Sequence, residues 1–236
     1  MLGRALPGGR QHRVEGDILW PHGDMDRAAA AYAAARDQAE QHGVAGERAT
    51  SQAQRALVVA FTDPDTADDE LHLAEQLLTG LDLRATSLTV RIAGLVRDAG
   101  TLRGLEAARD LRAESHDAGI TATEAGLELA LAFHHAVLGE HDKVRAVIDR
   151  LRELARTGDY AYYADLAHYM GGLPLPGPSS AQWLDGAEAV RSRWQCLVQT
   201  RRTHLRVNGR SGFGVKASGR GRGPARRSTG RVRWWR

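Results

Sequence analysis

The chain has 236 residues, of which 42% are hydrophobic and 26% charged, and this composition is typical of a soluble globular protein. No stretch approaches the roughly 18 consecutive apolar residues of a membrane-spanning helix. The N-terminal residues also lack the apolar segment of a secretory signal. The single cysteine, Cys196, excludes an internal disulfide framework, so the sequence favours a cytoplasmic location.

Charge divides the chain into an acidic body and a basic tail. The formal net charge is +3, but all 29 acidic residues lie at or before Glu188, whereas 14 of the 32 lysines and arginines follow it. The body therefore has eleven more acidic than basic residues. Because binding to phosphates requires a basic face, we expect nucleic acid to bind only through the tail, and without sequence specificity.

Helical periodicity runs through the body, and no stretch alternates as a strand does. Apolar residues recur three or four positions apart, as one buried face of a helix requires. Two clear examples are Leu88, Ile92, Leu95 and Ala99, and Val144, Val147, Ile148, Leu151 and Leu154. In chain order the predicted helix pairs are 8–22 with 24–42, 46–62 with 65–80, 85–99 with 101–118, 122–138 with 141–157, and 159–171 with 179–200.

The turns within these pairs recur at a nearly constant interval. They fall near Gly23, Asp63, Gly100, Gly139 and Gly177, at spacings of 40, 37, 39 and 38 residues. Left-handed residues that end helices are predicted at Gly43, Gly80, Gly119 and Gly158, and Thr121 with Glu124 has the spacing of a capping box. The period predicts an all-α solenoid of about five helix-turn-helix units, each in contact chiefly with its neighbours.

The first unit resembles a tetratricopeptide repeat. Its small and large residues follow that repeat's pattern at mutual spacings of 3, 4, 5, 4 and 3: Gly16, Leu19, Gly23, Ala28, Tyr32 and Ala35. Small residues let two paired helices cross closely, so Gly16 is expected to receive the second helix. The similarity extends over about residues 1–200, in a variety whose period is near 38 residues rather than 34.

Long repeats of this kind resemble the C-terminal tetratricopeptide regions of actinobacterial multidomain regulators and signalling NTPases. The resemblance implies a right-handed solenoid that serves as a binding scaffold and is usually joined to an N-terminal effector domain. Its partner would be a protein, a peptide or its own effector domain, bound on the concave surface that the first helices form.

Two other functions remain open. The chain could be the detached sensor segment of a larger NTPase or DNA-binding regulator, because the first repeat begins almost at Met1 without a polar capping helix. It could instead bind nucleic acid non-specifically through its tail. We expect the repeat domain to span 1–203 and a disordered Gly/Arg-rich segment to span 204–236, either as a native tail or as an out-of-frame reading.

Charged and polar residues on the first helices are the candidates for the concave binding surface: Arg13, Asp17, Arg48, Gln52 and Arg91. The last predicted unit is rich in aromatic residues. Two of them, Tyr162 and Tyr169, are candidates to line a ligand groove because tyrosine supplies both apolar area and a polar tip.

No residue pattern indicates an enzyme, a metal or a cofactor. His134, His135 and His141 are the densest group of potential metal ligands, but they lack the i, i+4 pairing of a zinc helix. Cys196 has no base nearby in the sequence. The acidic run from Asp63 to Glu70 lacks the central glycine of a calcium loop, so it is interpreted as a turn before a helix.

Overall fold

The computed structural model describes residues 8–20, 24–117 and 119–158, and these residues form eight α-helices and no strand. In chain order they are α1 (Arg10–Leu19), α2 (Met25–Gln41), α3 (Ala45–Thr62), α4 (Pro64–Leu78), α5 (Arg84–Arg97), α6 (Leu102–Asp117), α7 (Thr121–Val137) and α8 (His141–Gly158). The predicted all-α class is confirmed. No helix in this part of the chain is both long and apolar enough to cross a bilayer.

The eight helices form the first four of the five predicted pairs, and their ends differ from the predicted ones by at most three residues. The fifth pair, the domain boundary at residue 203 and the basic tail lie outside the described residues. The hand of the solenoid stays a prediction.

The first pair crosses at Gly16, as the sequence predicts. A β-carbon at this position would lie 2.6 Å from Cε1 of Tyr32, so the close approach of α1 and α2 requires glycine. On α2, Ala28, Tyr32 and Ala35 are all completely buried. The Tyr32 hydroxyl donates a hydrogen bond of 2.8 Å to Asp17, which satisfies its polar tip.

The pairs stack in chain order, so the core runs along the stack. Each second helix packs on its own first helix, and α2, α4 and α6 also pack on the first helix of the next pair. In addition, α5 packs against α3 and α7. Phe61 of α3 and Phe133 of α7 are buried and meet edge to face, with ring centroids 5.3 Å apart. The predicted stripes on α5 and α8 are buried in this core.

The helix ends follow most of the local signals. Gly43, Gly80 and Gly119 have left-handed backbone angles after α2, α4 and α6, with φ of 67°, 79° and 65°. Gly158 is instead the last residue of α8. The prediction for Asp63 is confirmed, because its carboxylate accepts the backbone N–H groups of Asp65 and Thr66 at the start of α4.

The predicted capping box at the start of α7 is wrong. Ile120 precedes the helix and makes no side-chain cap, while Thr121 is already its first helical residue. In a capping box Thr121 would have to be the N-cap residue just before the helix, and Glu124 would then bond back to its backbone N–H. Its carboxylate instead pairs with Arg150 of α8, at 3.4 Å.

Candidate binding groove

A groove opens between α6 and α8 because both helices pack on α7 rather than on each other. Its volume is about 540 Å³. The walls are formed by Ala108, Arg109 and Arg112 of α6 and by Lys143, Ala146, Val147 and Arg150 of α8. The floor is formed by Glu128, Leu131 and His135 of α7.

One end of the groove is built around Glu128, whose side chain is 3% exposed. The Arg112 guanidinium of α6 makes three hydrogen bonds to this carboxylate. Its Nε donates to Oε1 at 3.0 Å, and its Nη2 donates to both carboxylate oxygens at 2.8 Å. Burial raises the pKa of Glu128 above its ordinary value, although Arg112 acts in the opposite direction. Arg150 of the α8 wall stands near the same end, where it pairs with Glu124 and helps to lower the pKa of Glu128.

The opposite end is built around His135, seven residues further along α7. Its Nδ1 lies 2.7 Å from Oε2 of Glu140, and Lys143 donates to Oε1 of the same carboxylate at 2.6 Å. The hydrogen bonds from Lys143 and then His135 hold the pKa of Glu140 below its ordinary range. At 1.5 Å of rise per residue, the two ends of the groove are about 10 Å apart.

Apolar side chains occupy the middle of the groove. Leu131 of the floor and Val147 of the α8 wall are buried, and Ala108 and Ala146 face the groove from its two walls. An apolar centre between charged ends suits a ligand that buries an apolar group and pairs with charges on either side of it.

The groove is basic although the body of the chain is acidic. Its lining contains four cationic side chains, Arg109, Arg112, Lys143 and Arg150, against the single carboxylate of Glu128. Arg109 makes no side-chain hydrogen bond or ion pair within the part of the chain that the structure describes. The groove can therefore attract an anionic group.

The residues proposed from sequence for the concave surface are held by neighbouring helices. Arg13 donates to Glu47 of α3 at 2.5 Å and to Asp17 at 3.1 Å. Arg48 pairs with Glu40 of α2 at 2.9 Å. These contacts place their charged groups in the junctions between helices.

Two further candidates have different surroundings. Arg91 is exposed and pairs with Glu114 of α6. Gln52 is completely buried, so its assignment to an open surface is corrected. Its amide accepts a hydrogen bond from Arg36 at 2.9 Å and donates to the Glu70 carboxylate at 2.6 Å. Tyr162 and Tyr169 lie outside the described residues.

A register shared by the first helices connects these candidates with the groove. Asp17, Gln52, Arg91 and Glu128 are each the eighth residue of a first helix. Glu128 was not predicted from the sequence, because this shared position becomes regular only with the helix starts that the structure gives. The two hydrogen-bonded pairs also have the same spacing in the sequence. Arg112 lies 16 residues before its partner Glu128, and Arg36 lies 16 residues before its partner Gln52.

No group of three potential metal ligands converges around the histidines beside the groove, within the part of the chain that the structure describes. His134 is completely buried, and its Nδ1 accepts the Gly100 backbone N–H at 3.1 Å. Burial, followed by neighbouring His135, lowers the pKa of His134. This ring thus joins the turn between α5 and α6 to α7.

Comparisons with known proteins add no assignment, since no family model, curated protein or solved structure matches the chain.

Proposed function

We propose that this protein is a non-enzymatic scaffold that binds a segment of another protein in the groove between α6 and α8. The observation that carries the proposal is the open groove itself. Two second helices share α7 as a floor without packing on each other, and they enclose about 540 Å³ with an apolar middle and charged ends. Concave surfaces of this composition are the usual sites of ligand and peptide recognition.

The helical stack supports a scaffold role. The close crossing at Gly16, the buried Ala28, Tyr32 and Ala35, and the regular stacking of pairs are the features that a tetratricopeptide-like solenoid has. Such stacks present long surfaces on which neighbouring units contribute side chains to one site. In this proposal the site lies between second helices, whereas the sequence favours a surface formed by first helices.

Photo-crosslinking in cells that express the full chain tests the proposal. A photoreactive amino acid replaces Ala146, which is exposed on the α8 wall of the groove, and in a control chain it replaces Ala30, which is exposed on α2. We expect protein adducts at Ala146 that are missing at Ala30, with the partner segment identified by mass spectrometry. The absence of adducts at Ala146, or the same adducts at both positions, would contradict the proposal.

A further inference from the structure

We infer that the groove between α6 and α8 recognises an acidic peptide segment in which two carboxylate side chains flank an apolar one. The inference rests on the proposed function and adds the chemistry of the partner.

The charge of the groove is complementary to an acidic segment. Four cations line the groove together with the carboxylate of Glu128, and Glu140 and Glu124 pair with Lys143 and Arg150 at its ends, so the cations still outnumber the carboxylates. Up to Glu188 the chain has more acidic than basic residues, so the sign of the groove is opposite to that of the surrounding sequence. A local basic site on an acidic protein attracts anionic segments to one place rather than to the whole surface.

Two arginines of the groove are available to a ligand. Arg109 has no side-chain partner among the described residues. Arg150 is 49% exposed, and its contact with Glu124 is long, at 3.4 Å. Arg112, by contrast, has its guanidinium committed to Glu128 by three hydrogen bonds. Arg109 and Arg150 are therefore the recognition residues, and they stand on opposite walls.

Apolar side chains separate the two arginines. Arg109 and Arg150 stand on opposite walls of the groove, with Leu131 on the floor between the walls and Val147 beside Arg150 on the α8 wall. A segment that pairs with both arginines therefore places an apolar side chain between its two carboxylates.

The groove suits a peptide better than a nucleic acid. Glu124 and Glu140 lie beside the cations at the two ends, and Glu128 lies on the floor. A phosphate backbone carries a charge on every nucleotide and binds an uninterrupted basic face. A peptide segment with only two carboxylates can pair with Arg109 and Arg150 without placing a continuous row of negative charges beside these glutamates.

Fluorescence anisotropy with the full chain tests the inference. The probes are a labelled peptide in which glutamates flank a leucine, the same peptide with glutamines in place of the glutamates, and a labelled single-stranded DNA. The test variant carries Arg109→Gln and Arg150→Gln. The control variant carries Arg145→Gln and Arg156→Gln, which remove the same charge from exposed positions of α8 outside the groove.

We expect the acidic peptide to bind, and the test variant to weaken it about tenfold while the control variant changes it by less than about twofold. Circular dichroism checks that both variants fold, and the single variants Arg109→Gln and Arg150→Gln give a second measure. The inference is overturned if the two double variants weaken binding equally, or if the glutamine peptide binds as well as the acidic one. It is also overturned if the chain prefers DNA or does not bind the acidic peptide at all.

The failures of the two proposals are distinguishable. If adducts form at Ala146 but the glutamine peptide binds as well as the acidic one, the groove binds a protein segment and the inference about its charge is wrong. If no adduct forms at Ala146 and neither peptide binds, the proposed function fails together with the inference.

Discussion

The eighth residue of a first helix is buried in some helix pairs and exposed in another. Gln52 and Glu128 are buried at this position, whereas Arg91 is exposed. A buried amide needs only hydrogen bonds, but a buried carboxylate also loses the hydration of its charge. Glu128 therefore depends on Arg112, and its raised pKa shows that the pairing compensates for burial only in part.

The raised pKa of Glu128 makes stability depend on pH. The folded chain holds a proton on this carboxyl at pH values where the unfolded chain has released it, so its contribution to the free energy of unfolding falls as pH rises. The window starts at the ordinary glutamate pKa, near 4.3, and ends at the higher folded value. In Glu128→Gln this decline is expected to disappear, and urea unfolding of both proteins across that range measures it. Parallel pH curves would contradict the prediction.

In the first helix pair, Gly16 is the position at which an added methyl group should destabilise the fold most. Its β-carbon would clash with the Tyr32 ring at 2.6 Å, so Gly16→Ala is expected to lower the free energy of unfolding by about 1–3 kcal/mol. At Gly94, inside α5, a β-carbon meets nothing within 4 Å, so Gly94→Ala should raise it by up to about 1 kcal/mol. Urea titrations followed by circular dichroism measure both, and destabilisation of equal size would contradict the packing argument.

At the scale of elements, two corresponding junctions differ. A polar network fills the junction of α2, α3 and α4, whereas the junction between α6 and α8 is open. Gln52 links Arg36 of α2 to Glu70 of α4, and Arg55 pairs with the same carboxylate at 2.8 Å. Burial alone would raise the pKa of Glu70, but hydrogen bonds from Arg55 and Gln52 hold it below its ordinary value. The network thus joins three helices through one buried amide.

Removal of this amide should loosen the junction. We expect Gln52→Ala to lower the free energy of unfolding by about 2–3 kcal/mol, because Gln52 bonds to charged partners from a completely buried position. The matched control is Gln54→Ala, a half-buried glutamine on the same helix, which should change it by less than about 1 kcal/mol. Chemical unfolding of the three proteins measures the difference, and similar losses in both variants would rule out a special role for Gln52.

The turn between α5 and α6 depends on a neutral histidine. His134 accepts the Gly100 N–H through Nδ1, and protonation would place a hydrogen on that atom. Because the pKa of His134 is lowered by burial and by His135, the unfolded chain binds a proton at higher pH than the folded chain does. Its contribution to stability is therefore present above the ordinary histidine pKa, near 6.5, and is lost as pH falls from there toward the folded pKa.

The variant His134→Asn tests this dependence. Its amide oxygen can accept the Gly100 N–H but does not titrate, so the loss of stability below about pH 6.5 should be smaller than in the wild type. The control is His72→Asn, on the exposed side of α4, which should retain the wild-type profile. Thermal melts across that range, with the Gly100 amide followed by NMR, measure the effect. An unchanged profile in His134→Asn would show that the bond to Gly100 does not control it.

Helices could be predicted from the sequence far better than their polar contacts. Stripes such as Leu88 and Ile92, with glycines at helix ends, depend on local spacing, which the sequence displays directly. The burial of Gln52 and exposure of Arg91 depend on which second helices flank each position, and that is set by tertiary packing. The groove was missed for the same reason, since its residues come from three helices.

At the scale of the whole stack, each helix pair contacts mainly the pairs next to it in the chain. Stability in such an architecture is approximately a sum of unit and neighbour terms, so damage should stay local. In Gln52→Ala we expect faster amide exchange in α2, α3 and α4 and little change in α8. Hydrogen–deuterium exchange with mass spectrometry measures this, and uniform acceleration along all eight helices would indicate one cooperative unit instead.

The separation of α6 from α8 has an evolutionary consequence. Arg109, Ala146 and Arg150 are exposed on walls that do not pack on each other. Under the proposed function, substitutions there would therefore change recognition with little effect on folding. Selection for a new partner and selection for a folded chain then act on different residues. A scaffold with this division can diverge in specificity while its framework stays the same.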